Sequence, residues 1–188
     1  AAVLARLETT LTGTEGDDAF LYGSELADTI HGLGGNDSLN GQDGDDVLLG
    51  GAGDDFLSGG LGNDVYDGGA GVDSTMDFSG SDTYRWGVGS GQDTVSDLDF
   101  TPGSIDRVEV QGATPGDVTI TRDWGVNPNA ITLHIAGTSD TLTLNQWFDP
   151  NGQIEEIRFA DGTVWDAAAV LARLETTLTG TEGDDAFL

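Results

Sequence analysis

The sequence lacks cysteine and is poor in basic residues, and both absences restrict what the protein can be. Without cysteine it can form no disulfide and perform no thiol chemistry. Only 6 lysines and arginines stand against 34 aspartates and glutamates, which gives a formal net charge of −28. Such a surface repels nucleic acids and anionic membranes, so neither is expected as a partner. No run of 18 apolar residues occurs, so we expect no membrane insertion.

Glycine and aspartate, by contrast, are abundant and recur every nine residues. If Gly50 is taken as position 1, copies begin at every ninth residue from Gly23 to residue 77. An earlier copy begins at Gly13 with one extra residue, and a later copy begins at Val88 after a two-residue insertion. Position 6 is always aspartate: Asp18, Asp28, Asp37, Asp46, Asp55, Asp64, Asp73, Asp82 and Asp93. Position 8 is mostly apolar: Phe20, Ile30, Leu39, Leu48, Leu57, Tyr66, Thr75, Tyr84 and Val95.

This nonapeptide pattern predicts an all-β fold built from short strands and tight turns. Glycines at positions 1, 2 and 4 allow the positive φ angles of a tight turn. The residues after the aspartate form a short strand whose position 8 points inward, while positions 7 and 9 point outward. Two copies then make one coil of 18 residues. Stacked coils make a parallel β-roll of two sheets around a thin core, with coils about 4.8 Å apart.

The stacking places carboxylates in columns, which predicts a metal ion. Two like charges about 5 Å apart repel by about 3 kcal/mol at an effective dielectric constant of 20. Aspartate oxygens and turn carbonyls are the oxygen ligands that calcium prefers, whereas magnesium demands a tighter octahedron. Zinc is disfavoured, since the sequence has no cysteine and its two histidines, His31 and His134, lie far apart.

The nonapeptide resembles the G-G-x-G-x-D-x-U-x repeat of the repeats-in-toxin (RTX) family, a calcium-binding pattern, over about residues 13 to 96. The resemblance implies a parallel β-roll in which each calcium ion lies between two successive turns on one side. One turn supplies the carbonyls of positions 2 and 4 and the carboxylate of position 6. The next supplies the carbonyls of positions 1 and 3 and the position-5 side chain. The implied carbonyl ligands are Thr14, Gly16, Ser24, Leu26, Gly32, Leu33, Gly34, Gly35, Gly41, Gln42, Asp43, Gly44, Gly50, Gly51, Ala52, Gly53, Gly59, Gly60, Leu61 and Gly62.

Carried over in this way, the resemblance implies about four strong calcium sites and up to seven in all. The four complete sites pair Asp18 with Asn36, Asp28 with Asp45, Asp37 with Asp54, and Asp46 with Asn63. At three further sites the position-5 residue departs from the pattern. These pair Asp55 with Val72, Asp64 with Ser81, and Asp73 with Gln92, and we expect them to be weaker.

Beyond residue 97 glycine becomes sparse and the pattern changes. Segments such as "DVTITRD" and "AITLHIAG" read as alternating strands between turns, and we expect five antiparallel strands that continue or cap the roll. The segment "LTLNQWF…IEEIRFADGTVWD" resembles the haemolysin-type calcium-binding-related region that follows RTX repeats. Four tryptophans occur here and just before: Trp86, Trp124, Trp147 and Trp165. We expect them in the core; a sugar-binding face is the alternative.

A second, longer repeat suggests a tandem array. Residues 1–21 recur letter for letter at 168–188, so the chain reads as one unit and the start of the next, a duplicated cloning flank being the alternative. Asp166 can cap a helix whose expected buried residues are Val170, Leu171 and Leu174. The predicted division is a joining helix and linker (1–12), the roll (13–97), a β-rich cap (98–165) and a second joining helix with the next unit's start (166–188).

These observations predict a non-enzymatic, calcium-dependent structural module of a large secreted protein, with calcium and neighbouring units of the same protein as partners. The family implies export through a type I secretion channel and folding outside the cell, or at the bacterial surface. Two alternatives stay open. One is an adhesin module that binds a surface glycan through Trp124 or Trp147, and the other is the C-terminal accessory region of a secreted enzyme.

Overall fold

The computed structural model describes residues 9–122 and 125–177 and is built almost wholly of β-strands. The strands are β1 (Thr10–Thr12), β2 (Leu21–Tyr22), β3 (Thr29–Gly34), β4 (Ser38–Asp43), β5 (Val47–Ala52), β6 (Phe56–Leu61), β7 (Val65–Ala70), β8 (Ser74–Asp77), β9 (Thr83–Gly87), β10 (Gln92–Asp97), β11 (Arg107–Gln111), β12 (Val118–Thr121), β13 (Ile131–Ile135), β14 (Thr141–Leu144), β15 (Glu156–Phe159) and β16 (Val164–Asp166), and helix α1 spans Ala167–Thr177.

Alternate strands belong to alternate sheets, as the β-roll prediction requires. One eight-stranded sheet runs β1-β3-β5-β7-β9-β11-β15-β16, and the other runs β12-β13-β14-β10-β8-β6-β4-β2. Within the repeats the pairing is parallel and shifted by 18 residues, so Ile30 lies beside Leu48 and Leu39 beside Leu57. The parallel β-roll predicted from the nonapeptides is therefore confirmed.

The core follows position 8 of the repeat. Ile30, Leu39, Leu48 and Leu57 are fully buried between the two sheets. The first copy is an exception, because Phe20 is exposed and Leu21 takes the place beside Leu39. The extra residue of that copy lies after its aspartate, so the strand register moves by one and the inward position moves with it.

Beyond residue 97 the two sheets continue instead of ending. Strand β11 pairs in parallel with β9 and β15, and β14 pairs in parallel with β10. Only β12–β13, β13–β14 and β15–β16 are antiparallel among the strands of the described residues. The expectation of five antiparallel strands is thus wrong in number and partly in direction. The chain keeps coiling in the same sense while its loops lengthen, so new strands add to the roll in parallel.

The helix at the end of the described chain begins where the sequence predicted. Asp166 caps it, since Asp166 Oδ1 accepts a hydrogen bond of 2.8 Å from the Ala169 N–H. Val170 and Leu174 are buried, but Leu171 is 42% exposed and does not belong to the packed face. Residues three and four apart share a helix face, whereas adjacent residues do not, which explains the difference.

The expected helix at the start of the chain is not observed in the part that the structure describes. Residues 1–8 lie outside the described residues, and Thr10–Thr12 form strand β1. No helix within residues 9–122 and 125–177 is long and apolar enough to cross a membrane. Trp86, Trp147 and Trp165 are buried in the core, as expected, and Trp124 lies outside the described residues.

Candidate metal centres

The position-6 aspartates form two hydrogen-bonded ladders, one on each side of the roll. In each ladder the backbone N–H of one carboxylate residue donates to a side-chain oxygen of the next, over 2.7 to 3.0 Å. The "first ladder" is Asp28, Asp46, Asp64, Asp82, Asp106 and Glu155. The "second ladder" is Asp18, Asp37, Asp55, Asp73 and Asp93.

The ladder aspartates accept this bond through Oδ1, and in five of the ten a buried Oδ2 has no donor among the described residues. The Oδ2 atoms of Asp37, Asp46, Asp55 and Asp73 are buried and accept no hydrogen bond from any described residue. Leaving a buried carboxylate oxygen unpaired is costly, because the charge has lost its water. A row of such oxygens fits a bound cation, and this observation tests the calcium prediction directly on the structure.

The electrostatics of the ladders support the same reading. The pKa of Asp46 is raised to about 6, chiefly by burial and also by the neighbouring carboxylates of Asp28 and Asp45. Burial likewise raises the pKa of Asp73 to about 6, with the charges of Asp55 and Asp54 adding to the shift. Without a cation the fold therefore disfavours the charged carboxylates, and a divalent cation would reverse this preference.

The position-5 side chains form a parallel, outer set of contacts. Asn36 Oδ1 accepts the Asp54 N–H at 2.9 Å, and Asp45 Oδ1 accepts the Asn63 N–H at 2.8 Å. These side chains lie at the surface, next to the buried position-6 carboxylates. Val72 takes part in this set only through its backbone N–H, which donates to Asp54 Oδ1. It supplies no side-chain oxygen, and the lower affinity of the site there stays a prediction.

The turn carbonyls of positions 2 and 4 point along the ladders. The carbonyl of Leu33 faces Gly51 and that of Gly35 faces Gly53, so closely that a side chain on either glycine would collide with it. The carbonyls of Gln42 and Gly44 face Gly60 and Gly62 in the same way. The other predicted carbonyl ligands lie in the loops before β2 and β3, namely Thr14, Gly16, Ser24 and Leu26, or at the ends of β3 to β6, namely Gly32, Gly34, Gly41, Asp43, Gly50, Ala52, Gly59 and Leu61.

Two of the carbonyls at position 3 already accept a hydrogen bond from a backbone N–H. The Ala52 carbonyl accepts the Gly35 N–H at 2.9 Å, and the Leu61 carbonyl accepts the Gly44 N–H at 2.7 Å. A carbonyl has two lone pairs, so each retains one for a cation. The two histidines lie in strands, outside the turns: His31 in β3 and His134 in β13, where its Nε2 is 2.8 Å from Thr121 Oγ1.

Four carboxylates of these centres escaped the sequence pattern. Asp106 and Glu155 extend the first ladder into the cap, although insertions separate them from the nine-residue register. Asp77 and Asp97 stand where position 1 falls and are buried. The sequence carries a signal for three of the four. Asp106 directly precedes the strand segment "RVEV", and Asp77 and Asp97 stand where the repeat usually has its position-1 glycine.

Comparisons with known proteins agree with the geometry. Residues 22–57 and 41–74 match the family model described as RTX calcium-binding nonapeptide repeat (4 copies). Residues 131–169 match the haemolysin-type calcium binding protein related domain. The iron-regulated protein FrpA of Neisseria meningitidis serogroup C is 33% identical over 105 residues, which cover 53% of this chain and 9% of that protein. The chain thus spans about a tenth of the length of this curated relative.

Proposed function

We propose that this chain, which carries RTX calcium-binding nonapeptide repeats followed by a haemolysin-type calcium-binding-related region, is a structural module that folds when it binds calcium. The observation that carries the proposal is the row of buried, unpaired Oδ2 atoms along the two ladders. Calcium would hold adjacent turns together and neutralise their carboxylates. Binding free energy would then become folding free energy.

The proposed sites follow the repeat. Four sites combine a ladder aspartate with an oxygen-bearing position-5 side chain in the next turn: Asp18 with Asn36, Asp28 with Asp45, Asp37 with Asp54, and Asp46 with Asn63. Opposite Asp55, Asp64 and Asp73 the position-5 residues are Val72, Ser81 and Gln92. We assign these three sites lower affinity, because a ligand oxygen is missing or differently placed.

The wider setting we propose is a large secreted protein with tandem copies of this unit. Its support is the exact recurrence of residues 1–21 at 168–188, together with a relative of which the chain covers only 9%. A chain of net charge −28 stays expanded without calcium, which suits passage through a type I secretion channel. Calcium outside the cell would then complete folding. We propose a structural, not a catalytic, role.

Glycan binding through the tryptophans is not favoured by the burial of the two in the cap that the structure describes. Trp147 is 1% exposed and Trp165 is 2% exposed, and the Trp147 Nε1–H donates to the Ile154 carbonyl at 3.2 Å. Side chains buried in this way cannot stack on a sugar from solution. The module therefore reads as a scaffold whose ligand is the cation.

Far-ultraviolet circular dichroism of the full chain during a calcium titration tests the proposal. In excess chelator we expect a largely disordered spectrum, which turns β-rich on adding calcium and changes far less with magnesium. A parallel count of bound ions, by equilibrium dialysis and elemental analysis, should give at least four calcium ions per chain. A chain that is fully folded in chelator, or that responds equally to magnesium, would contradict it.

A further inference from the structure

The last two turns of the first ladder differ from the others. At position 1 the earlier turns have glycine, Gly23, Gly41 and Gly59, and each lies directly against the position-6 carboxylate of its own turn. The next two turns have aspartate there, Asp77 and Asp97. Both are buried, with exposures of 0% and 2%. Two additional carboxylates therefore enter a space that already holds a column of them.

Together these residues form two adjacent groups of three buried carboxylates. Asp64, Asp77 and Asp82 each offer one oxygen, and these oxygens lie within 4.8 Å of one another. Asp82, Asp97 and Asp106 meet the same condition, so Asp82 belongs to both groups. The ion pairs among the described residues, Arg85–Glu109 and Arg158–Glu156, involve none of the five aspartates.

A second observation points to a ligand in this cluster. Asp82 is fully buried, and its Oδ2 accepts no hydrogen bond from any described residue. The same holds for Asp97 Oδ1. Asp97 Oδ2 and the two oxygens of Asp77 are paired, by contrast, with Tyr84, Tyr66 and the Ser79 N–H. One oxygen of Asp82, which belongs to both groups, and one oxygen of Asp97 are thus left for a cation.

The tyrosines show that the surrounding core is adapted to the extra aspartates. Ile30 and Leu48 occupy position 8 in copies whose next turn on the same side begins with glycine. Where that next turn has Asp77 or Asp97 instead, position 8 is Tyr66 or Tyr84. The Tyr66 hydroxyl donates to Asp77 Oδ1, and the Tyr84 hydroxyl donates to Asp97 Oδ2 at 2.8 Å. The two rings stack with centroids 5.1 Å apart. The Tyr84 hydroxyl bonds one oxygen of Asp97 and leaves Asp97 Oδ1 without a donor, whereas Tyr66 and the Ser79 N–H each bond one oxygen of Asp77 and so orient its carboxylate.

We propose that Asp64, Asp77, Asp82, Asp97 and Asp106 bind two hard divalent cations inside the roll, with Asp82 shared between them. Calcium is the expected ion, since all the ligands are oxygens and the turn ligands of the ladders are of the same kind. These sites differ from the proposed turn sites in that aspartates at position 1 are the added ligands, and the first of them takes the place of the low-affinity turn site assigned to Asp64 with Ser81. Their place is the junction where the regular repeats meet the cap. Two such ions would tie the roll to strand β11.

The charge balance of the cluster agrees with this assignment. All five aspartates are at most 2% exposed. Two divalent cations would supply four positive charges to five carboxylates, which makes the charged forms tolerable in the core.

Ion counting on matched variants tests the proposal. The double variant Asp77→Asn, Asp97→Asn keeps the side-chain volume and the tyrosine acceptors but removes both added charges. In saturating calcium we expect it to bind two ions fewer than the unaltered chain. Asp161→Asn, which removes an exposed charge from the turn between β15 and β16, should leave the count unchanged. An unchanged count in the double variant, with or without a gain in stability, would overturn the proposal and indicate shared protons instead.

Two further measurements keep the result decisive. Asp77→Gly, Asp97→Gly restores the residue of the earlier turns and serves if the asparagine variant does not fold. A crystal structure of the unaltered chain grown in calcium depends on no variant. It should show ions between Asp82 and its neighbours, and the proposal fails if these carboxylates are bridged by nothing. The inference rests on calcium binding by the module, but Asp46→Asn separates the two claims: it should lower the turn-site count even if the interior sites do not exist.

Discussion

At the scale of single residues, the turns show where the repeat is imperfect. Position 2 adopts a positive φ of 111° in Gly60 and 113° in Gly51, which glycine tolerates. Leu33 and Gln42 occupy the same position with φ of 82°. The left-handed conformation costs a residue with a Cβ about 1–2 kcal/mol. The Leu33 side chain is 42% exposed and recovers little of this by packing.

Leu33→Gly should therefore stabilise the calcium-bound fold. The relief of strain exceeds the added chain entropy of glycine, about 0.5–1 kcal/mol, so we expect a net gain of up to about 1 kcal/mol. The midpoint of urea unfolding in saturating calcium measures it. Leu61→Gly is the control: Leu61 is similarly exposed but lacks a positive φ, so the same change should destabilise. Equal effects in both variants would refute the strain argument.

A substitution in the middle of a ladder should weaken calcium-dependent folding more than a substitution at its end. Asp46 is buried, accepts the Asp28 N–H and donates its own N–H to Asp64. Asp18 begins its ladder, and its carboxylate accepts from Thr14 within its own turn. We expect Asp46→Asn to raise the calcium concentration needed for folding roughly tenfold, a loss of about 1.4 kcal/mol of binding free energy. Asp18→Asn should raise it much less, and circular dichroism titrations compare the two.

At the scale of elements, the helix closes the cap end of the molecule. α1 contacts β12 and β16, which are the last strands of the two sheets. Arg173 also lies over the Trp165 ring, 3.8 Å from its centroid. Among the described residues the opposite end has no such cover, since β1 and β2 each pair on one side only.

The packing of helix α1 against the core should contribute to the free energy of unfolding. Leu174 is 5% exposed against the core, so Leu174→Ala should cost about 2–4 kcal/mol of stability. Leu171 is 42% exposed, and Leu171→Ala should stay within about 0.5 kcal/mol. Urea unfolding in calcium measures both. Similar costs for the two variants would mean that the helix packs through another face.

At the scale of the whole molecule, charge sets the behaviour. The chain carries a net charge of −28, and seven calcium ions would halve it. Without calcium the ladders disfavour ionisation, because burial raises the pKa of Asp46 and Asp73 to about 6 and of Asp93 to about 7, from an ordinary 3.8. The folded chain then binds more protons than the unfolded chain between about pH 4 and pH 7. Its stability must fall as the pH rises through that range.

This linkage predicts opposite pH profiles with and without calcium. In calcium-free buffer, lowering the pH from about 7.5 to about 5 should increase the β signal, because protons neutralise the ladders. In calcium the same change should weaken the fold, since protons compete with the ion for the carboxylates. Circular dichroism across this range measures both, above the isoelectric point of about 4.1. Identical pH profiles with and without calcium would count against the claim that the ladder carboxylates bind protons in the absence of calcium and calcium in its presence.

The nine-residue period by itself determined the roll, its core and its ladders. A strict spacing of glycine, aspartate and one apolar residue leaves the coils few ways to stack, so the places of positions 6 and 8 follow from the spacing alone. Tertiary structure alone decided the course of the chain after the last regular copy. Insertions moved Asp106 and Glu155 out of the linear register, but strand pairing aligns residues by backbone hydrogen bonds, which returned both to the first ladder. The burial of Asp77 and Asp97 likewise depends on which coils lie above and below them, a contact that linear spacing does not encode.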